Sequence, residues 1–139
     1  MSTAGTGDGP SARDLGRASM AAVEAGDRAA WLALFADDAV VEDPVGPSAF
    51  DPEGVGHHGP EAIAAFYDNV IGVNESIRFT IRQSFLCGDE VANVGTIRIG
   101  LVGGSAVEVD GVYSYRRGPD GRLAAIRAFW EPDRIRSVG

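Results

Sequence analysis

The stretch Phe35–Gly46, FADDAVVEDPVG, decides how the rest of the chain is read. An apolar helical pattern gives way there to a run of valines, and that run delivers one carboxylate, Asp43, directly before Pro44. The residue before a proline is pushed toward extended backbone, which fixes where Asp43 sits. Val40, Val41 and Val45 flank it. A carboxylate among apolar groups loses hydration, and its pKa rises toward the range of a general base. Glu42 should face the other side of the strand, because side chains alternate with a period of two.

Working toward the N-terminus, helical spacing runs from Ser11, with Leu15, Ala18, Ala22 and Val23 on one face and Gly26 as its stop. Asp27 fits the N-cap of a second helix carrying Trp31, Leu34 and Phe35. Asp37 and Asp38 read as the turn that ends it, before the strand Ala39–Asp43. Residues 1–10, MSTAGTGDGP, have almost no apolar content and are expected to be a disordered tail before one domain, 11–139.

Working toward the C-terminus, residues 46–60 are rich in Gly and Pro and read as a long loop. Gly54-Val55-Gly56-His57-His58-Gly59 matches G-x-G-x-x-G, but it does not join a strand to a helix within a βαβ unit, so a dinucleotide would have no platform. Neighbouring His57 and His58 are poorly placed to chelate one ion and read as exposed loop residues; no metal and no cofactor are expected. A helix over 60–71 follows, with Ile63, Phe66, Tyr67 and Val70 on one face. From Ser76 the period changes to two. Strand patterns at about 77–82, 90–102, 105–117 and 122–131 are broken by Gly88-Asp89, Gly103-Gly104 and Pro119-Asp120-Gly121. These strands predict an antiparallel meander. Its apolar face must be covered, so three helices are expected on the concave face of a curved, cone-shaped α+β sheet with a small-molecule cavity at the open end.

The totals set limits. The net charge of −8 and pI of about 4.6 argue against nucleic acid and anionic membranes as partners. No apolar run approaches the ~18 residues of a membrane span. No charged-then-apolar leader precedes the domain, so Asn74-Glu75-Ser76 carries little weight as a glycosylation acceptor, and a cytoplasmic location is expected. The single cysteine, Cys87, reads as a buried small hydrophobe.

Three segments, AVEAGDRAAWLALFADDAVVEDPVG (22–46), GPEAIAAFYDNV (59–70) and GRLAAIRAFWEPDRI (121–135), resemble the ketosteroid isomerase family of the nuclear transport factor 2-like, SnoaL-like superfamily. The resemblance covers most of residues 13–135 and implies the cystatin-like α+β cone derived above. It also implies a cofactor-independent steroid delta-isomerase, which moves a C=C bond of a 3-oxo-Δ5 steroid to Δ4. A carboxylate carries the proton, and hydrogen-bond donors stabilise the dienolate oxygen. Asp43 falls on the position of the family's base.

The donors depart from the family pattern. Ser19 stands at the position of the family's principal tyrosine, and Tyr67 matches a second tyrosine that could donate directly or serve as core. The family's protonated aspartic acid falls on Gly111. Asp110 would serve in its place if a bulge at Gly111 shifts the strand; without one, Asp110 and Glu108 face away from Tyr113. Val41, Phe66, Tyr113, Phe129 and Trp130 are the expected cavity-lining residues.

Two other functions remain open on the same fold: a non-catalytic binder of hydrophobic ligands, and epoxide hydrolysis or polyketide cyclisation. Epoxide hydrolysis would require an Asp-Arg-Asp array, for which Arg98 and Arg127 are the available cations. An uncovered apolar sheet face is expected to make a homodimer.

Overall fold

The computed structural model describes residues 9–138. Most of the expected disordered tail, residues 1–8, lies outside them. Helix α1 (Ala12–Ala25) begins at a capping box in which the Ser11 hydroxyl accepts from Asp14 N at 3.1 Å and the Asp14 carboxylate accepts from Ser11 N at 3.0 Å. It ends where Gly26 turns left-handed at φ 67°. Its buried face carries Leu15, Gly16, Ser19, Met20 and Val23, while Ala18, expected on that face, is exposed.

Asp27 caps helix α2 (Arg28–Leu32), accepting from Ala30 N at 3.0 Å. This helix is shorter than the sequence pattern suggests. Strand β1 (Phe35–Glu42) already begins at Phe35, whose ring meets Trp31 edge-on at 4.7 Å. Asp37 and Asp38 therefore do not end a helix. They are exposed on β1, where its register with the neighbouring strand shifts between Phe35 and Val40.

The segment 46–60 is more ordered than a plain loop. The Asp51 carboxylate accepts from Gly56 N at 2.7 Å, and His57–His58 form a short strand β2 antiparallel to β1. Helix α3 (Gly59–Phe66) follows and widens into a π-helical turn over Tyr67–Ile71.

The expected meander is present as β3 (Ser76–Cys87), β4 (Glu90–Gly100), β5 (Ala106–Arg117) and β6 (Leu123–Phe129). The sheet order is β2-β1-β6-β5-β4-β3, with β1 parallel to β6 and β7 (Arg136–Val138) pairing with β5. This is a mixed α+β architecture with a curved, open seven-stranded sheet. Helix α1 packs across β3, β4 and β5, and α3 packs on β1, so the helices share one face. Cys87 is exposed at the end of β3; the turn at Gly88-Asp89 takes it out of the core, contrary to its apolar sequence setting.

The pairing of β4 with β5 runs without a shift from Glu90↔Arg116 to Gly100↔Ala106. Strict alternation follows. Val109, Tyr113 and Tyr115 point toward the helices and are buried, while Asp110 points outward and is exposed. This register decides the chemistry of the interior.

Candidate functional site

Between the helices and the inner face of the sheet lies a cavity of about 260 Å³. Its walls are mostly aliphatic and aromatic: Phe66 and Val70 from α3 and its extension, Ile77 and Phe79 from β3, Ile97 and Ile99 from β4. The side chains with polar groups along it are Asp43, Ser19, Asn74, Tyr113, Tyr115 and the two tryptophans.

Asp43 lies just past the end of β1, in a cis peptide linkage to Pro44. Val45 N donates to Ala128 O at 2.9 Å and ties this segment to β6. At the far end of β6 the indole N–H of Trp130 donates to Asp43 Oδ1 at 2.6 Å. The residue as a whole is half-buried, but its carboxyl group is enclosed. Burial pushes its pKa up to about 6, and the Trp130 hydrogen bond holds it from rising further. A carboxylate so placed is ionised near neutral pH yet basic enough to accept a proton from carbon.

Glu42 is turned away, as strand alternation requires, and pairs with Arg127 at 2.9 Å. Asp43 is thus the one ionisable carboxylate among the lining residues.

Two phenols face the same space. Tyr113 lies along β5 over Gly111, and its hydroxyl donates to Val109 O at 3.2 Å. A methyl group at position 111 would meet the Tyr113 hydroxyl at 3.1 Å and Phe129 O at 2.5 Å, so only glycine leaves room. The Tyr115 ring lies against α1 at Gly16, and Tyr115 and Ser19 both line the cavity. Burial, reinforced by the charge of Asp43, raises the pKa of both phenols, so both stay protonated.

Of the residues expected from the sequence to form the site, the structure brings together Asp43, Ser19, Phe66, Tyr113 and Trp130. Four others lie elsewhere. Asp110 is on the outer face because β5 has no bulge at Gly111. There it accepts from Arg136 at 3.1 Å and from the Thr96 hydroxyl, and these bonds hold its carboxyl below the usual range. An ionised, exposed acid cannot be a protonated oxyanion donor. Tyr67 is buried against Trp31 at 5.5 Å between ring centres and borders a separate recess with Arg28 and Gly72, so it does not reach the cavity. Phe129 has the outward parity of β6 and carries Arg127 over its ring at 5.2 Å. Val41 is packed in the core and does not line the cavity.

Sequence reasoning did not assign a role to Tyr115, although its period-two relation to Tyr113 carried the signal. Asn74 was likewise missed. Its amide donates to Val70 O at 2.8 Å and Ile71 O at 3.1 Å, closing the π-helical turn beside the cavity.

Arg98 pairs with Glu108 and Arg127 with Glu42; neither arginine lines the cavity, so no Asp-Arg-Asp array forms there. Among the described residues, no group of three or more His, Cys, Asp or Glu side chains could hold a metal ion. The His57 ring instead leans on Phe66 at 4.8 Å.

Residues 17–132 match the family model of the SnoaL-like domain, and the chain belongs to that family. It is similar to a Delta 5-3-ketosteroid isomerase from Mycobacterium sp., with 36% identity over 91% of this chain and 98% of that one, at a TM-score of 0.85. RV0760c from Mycobacterium tuberculosis, solved in complex with estradiol-17beta-hemisuccinate, is 37% identical over 90% of this chain and 97% of that one, at 0.84. A computationally designed 17-OHP binder is 33% identical over 91% and 98%, at 0.85. Similarity to the epoxide hydrolase/cyclase-like enzyme SalBIII, at 18% identity and a TM-score of 0.76, reflects the fold alone.

Proposed function

We propose that this SnoaL-like domain isomerises a 3-oxo-Δ5 steroid, or a closely similar β,γ-unsaturated ketone, to its conjugated Δ4 form. The observation that carries this reading is a single carboxylate, Asp43, with its pKa raised to about 6 in an apolar cavity that also presents two protonated phenols.

In this reading Asp43 removes a proton from C4, between the carbonyl and the double bond. The electron pair moves through C3 onto the carbonyl oxygen and forms a dienolate. The Tyr115 phenol donates to that oxygen; a preset donor acts most strongly where water is excluded. Protonated Asp43 then returns the proton to C6, the double bond lies between C4 and C5, and the carboxylate is regenerated. No cofactor takes part. The proposed site residues are Asp43 as base, Tyr115 as donor, and Phe66, Tyr113 and Trp130 as walls.

The cavity volume lies just below the ~300–1,000 Å³ typical of small-molecule pockets, so the distal end of a four-ring ligand would extend past the exposed lining residues Phe50 and Ile135. Steroid ligands of two similar proteins support a hydrophobic, steroid-like ligand here.

We place the protein in the cytoplasm as a two-fold dimer, with the outward sheet face, where Phe129 is 44% exposed, against its mate. The test of function is conversion of a 3-oxo-Δ5 steroid, followed by the absorbance of the conjugated enone. A second reading, a binder without turnover, rests on the absence of a tyrosine at position 19; the same assay separates the two.

A further inference from the structure

The connection that leaves β1 at Asp43 and returns as β2 at His57 carries Phe50 near its tip. Phe50 lines the cavity, yet it is 44% exposed. Ile135, 42% exposed, is the other exposed lining residue, so these two side chains mark the mouth. Single exposed apolar side chains are ordinary on a protein surface. What sets Phe50 apart is the backbone that holds it at the cavity.

Ser48 N donates to Asp51 O at 3.0 Å and Asp51 N donates to Ser48 O at 3.2 Å, closing a four-residue turn with Ala49 and Phe50 in its middle. Phe50 N donates to the Ser48 hydroxyl at 3.2 Å. The Asp51 carboxylate accepts from Val55 N at 3.3 Å and from Gly56 N at 2.7 Å, which draws the outgoing limb of the loop against the turn. Gly54, at φ 70°, packs on the incoming limb, where a Cβ would meet Pro47 N at 2.6 Å. At the base, a Cβ on Gly56 would meet Val40 Cγ1 at 2.9 Å, so the loop is seated directly on β1.

The ring of Phe50 is thus held at the rim before any ligand arrives, which lowers the ordering cost of binding. The space behind it is about 260 Å³, less than the ~300–1,000 Å³ of pockets that enclose a drug-sized molecule. A four-ring ligand with one end at Asp43 and Tyr115 must emerge at the mouth, where Phe50 and Ile135 offer apolar surface.

We propose that Phe50 is a specificity-determining residue that covers the projecting rings of a steroid-like ligand, with Asp51 as the positioning residue that holds it, so that the cavity selects four-ring over two-ring ligands. The proposal rests on the reading of the cavity as a site for such a ligand, and it does not require turnover. The contact is to rings that do not react. Its free energy acts on ground state and transition state alike, and in catalysis it belongs to KM rather than kcat.

The experiment measures the affinities of estradiol and of β-naphthol, a two-ring phenol too short to reach the mouth. Phe50→Ala should weaken estradiol binding about tenfold, the loss of one aromatic apolar contact, and β-naphthol binding less than twofold. Phe50→Leu, which keeps an apolar side chain, should recover most of the estradiol affinity. Asp51→Ala should weaken estradiol binding about threefold to fivefold alone, and less than twofold when added to Phe50→Ala. Equal losses for the two ligands, or an unchanged estradiol affinity in Phe50→Ala, would overturn the clamp. A full Asp51→Ala loss in the Phe50→Ala background would remove Asp51 from it.

Phe50 lies outside the buried core, and β-naphthol binding reports any general damage to the cavity. Selection of estradiol through Phe50 without isomerisation would defeat the proposed reaction and leave the clamp standing. Isomerisation by Phe50→Ala with an unchanged KM for a 3-oxo-Δ5 steroid would defeat the clamp and leave the reaction standing.

Discussion

The Trp130 indole donates to Asp43 Oδ1 at 2.6 Å, joining the end of β6 to the segment that leaves β1. The parallel pairing of these strands, with Val41 opposite Ile126 and Glu42 opposite Arg127, brings the two residues together. The hydrogen bond aims the carboxylate and also opposes the rise in pKa that burial imposes. Trp130→Phe keeps an apolar wall and removes the donor. The midpoint of the pH–kcat/KM profile of Trp130→Phe should move above the wild-type value, and kcat should fall about tenfold. An unmoved midpoint would separate Trp130 from the base.

The raised pKa of Asp43 has a consequence for stability. A carboxylate near 6 in the folded state and about 3.9 unfolded binds protons more tightly when folded. Folding stability attributable to this group is therefore greatest below pH ~4 and falls as pH rises through about 6. The ionised form costs on the order of 2–3 kcal/mol at pH 7–8. Asp43→Asn should raise Tm at pH 7.5, and the gain should shrink as the pH approaches 4. Thermal melts across that range check the sign.

Kinetics have the opposite slope. A base works ionised, so kcat/KM should rise with pH, pass half its plateau near pH 6, and stay flat to at least pH 8, because both phenols titrate well above their usual range.

Asp110 and Tyr67 should be dispensable to chemistry. Asp110→Asn removes a partner of Arg136 on an exposed surface, where solvent screening leaves such pairs contributing little. Steady-state kinetics of Asp110→Asn and Tyr67→Phe should stay within about twofold of wild type. A hundredfold loss in either would return that residue to the site.

The outward sheet face can be tested separately. Sedimentation of the wild type should give about twice the 14.5 kDa chain mass, and Phe129→Glu should reduce it to one chain by placing a charge in the interface.

Much of this was legible in the sequence. Period-two runs from Ser76 onward, divided by Gly-containing turns, marked the meander, and Asp43 before Pro44 marked the carboxylate. Other features depended on strand parity and register, which local patterns do not carry. Asp110 hinged on whether β5 bulged at Gly111, and glycine permits a bulge without requiring one. Tyr67 satisfied helix spacing, but that spacing does not say which side of Trp31 a ring occupies. Tyr115 was overlooked because its reason for facing the cavity lies about a hundred residues away, in the space left by Gly16.

The most direct test of isomerisation through Asp43 is the rate of conjugated-enone formation from a 3-oxo-Δ5 steroid by the wild type and by Asp43→Asn, at pH 7.5. The expected result is clear turnover by the wild type and a loss of at least a thousandfold in Asp43→Asn, with the variant folded and still binding estradiol. A wild type no faster than buffer, or an Asp43→Asn variant as fast as the wild type, would contradict it.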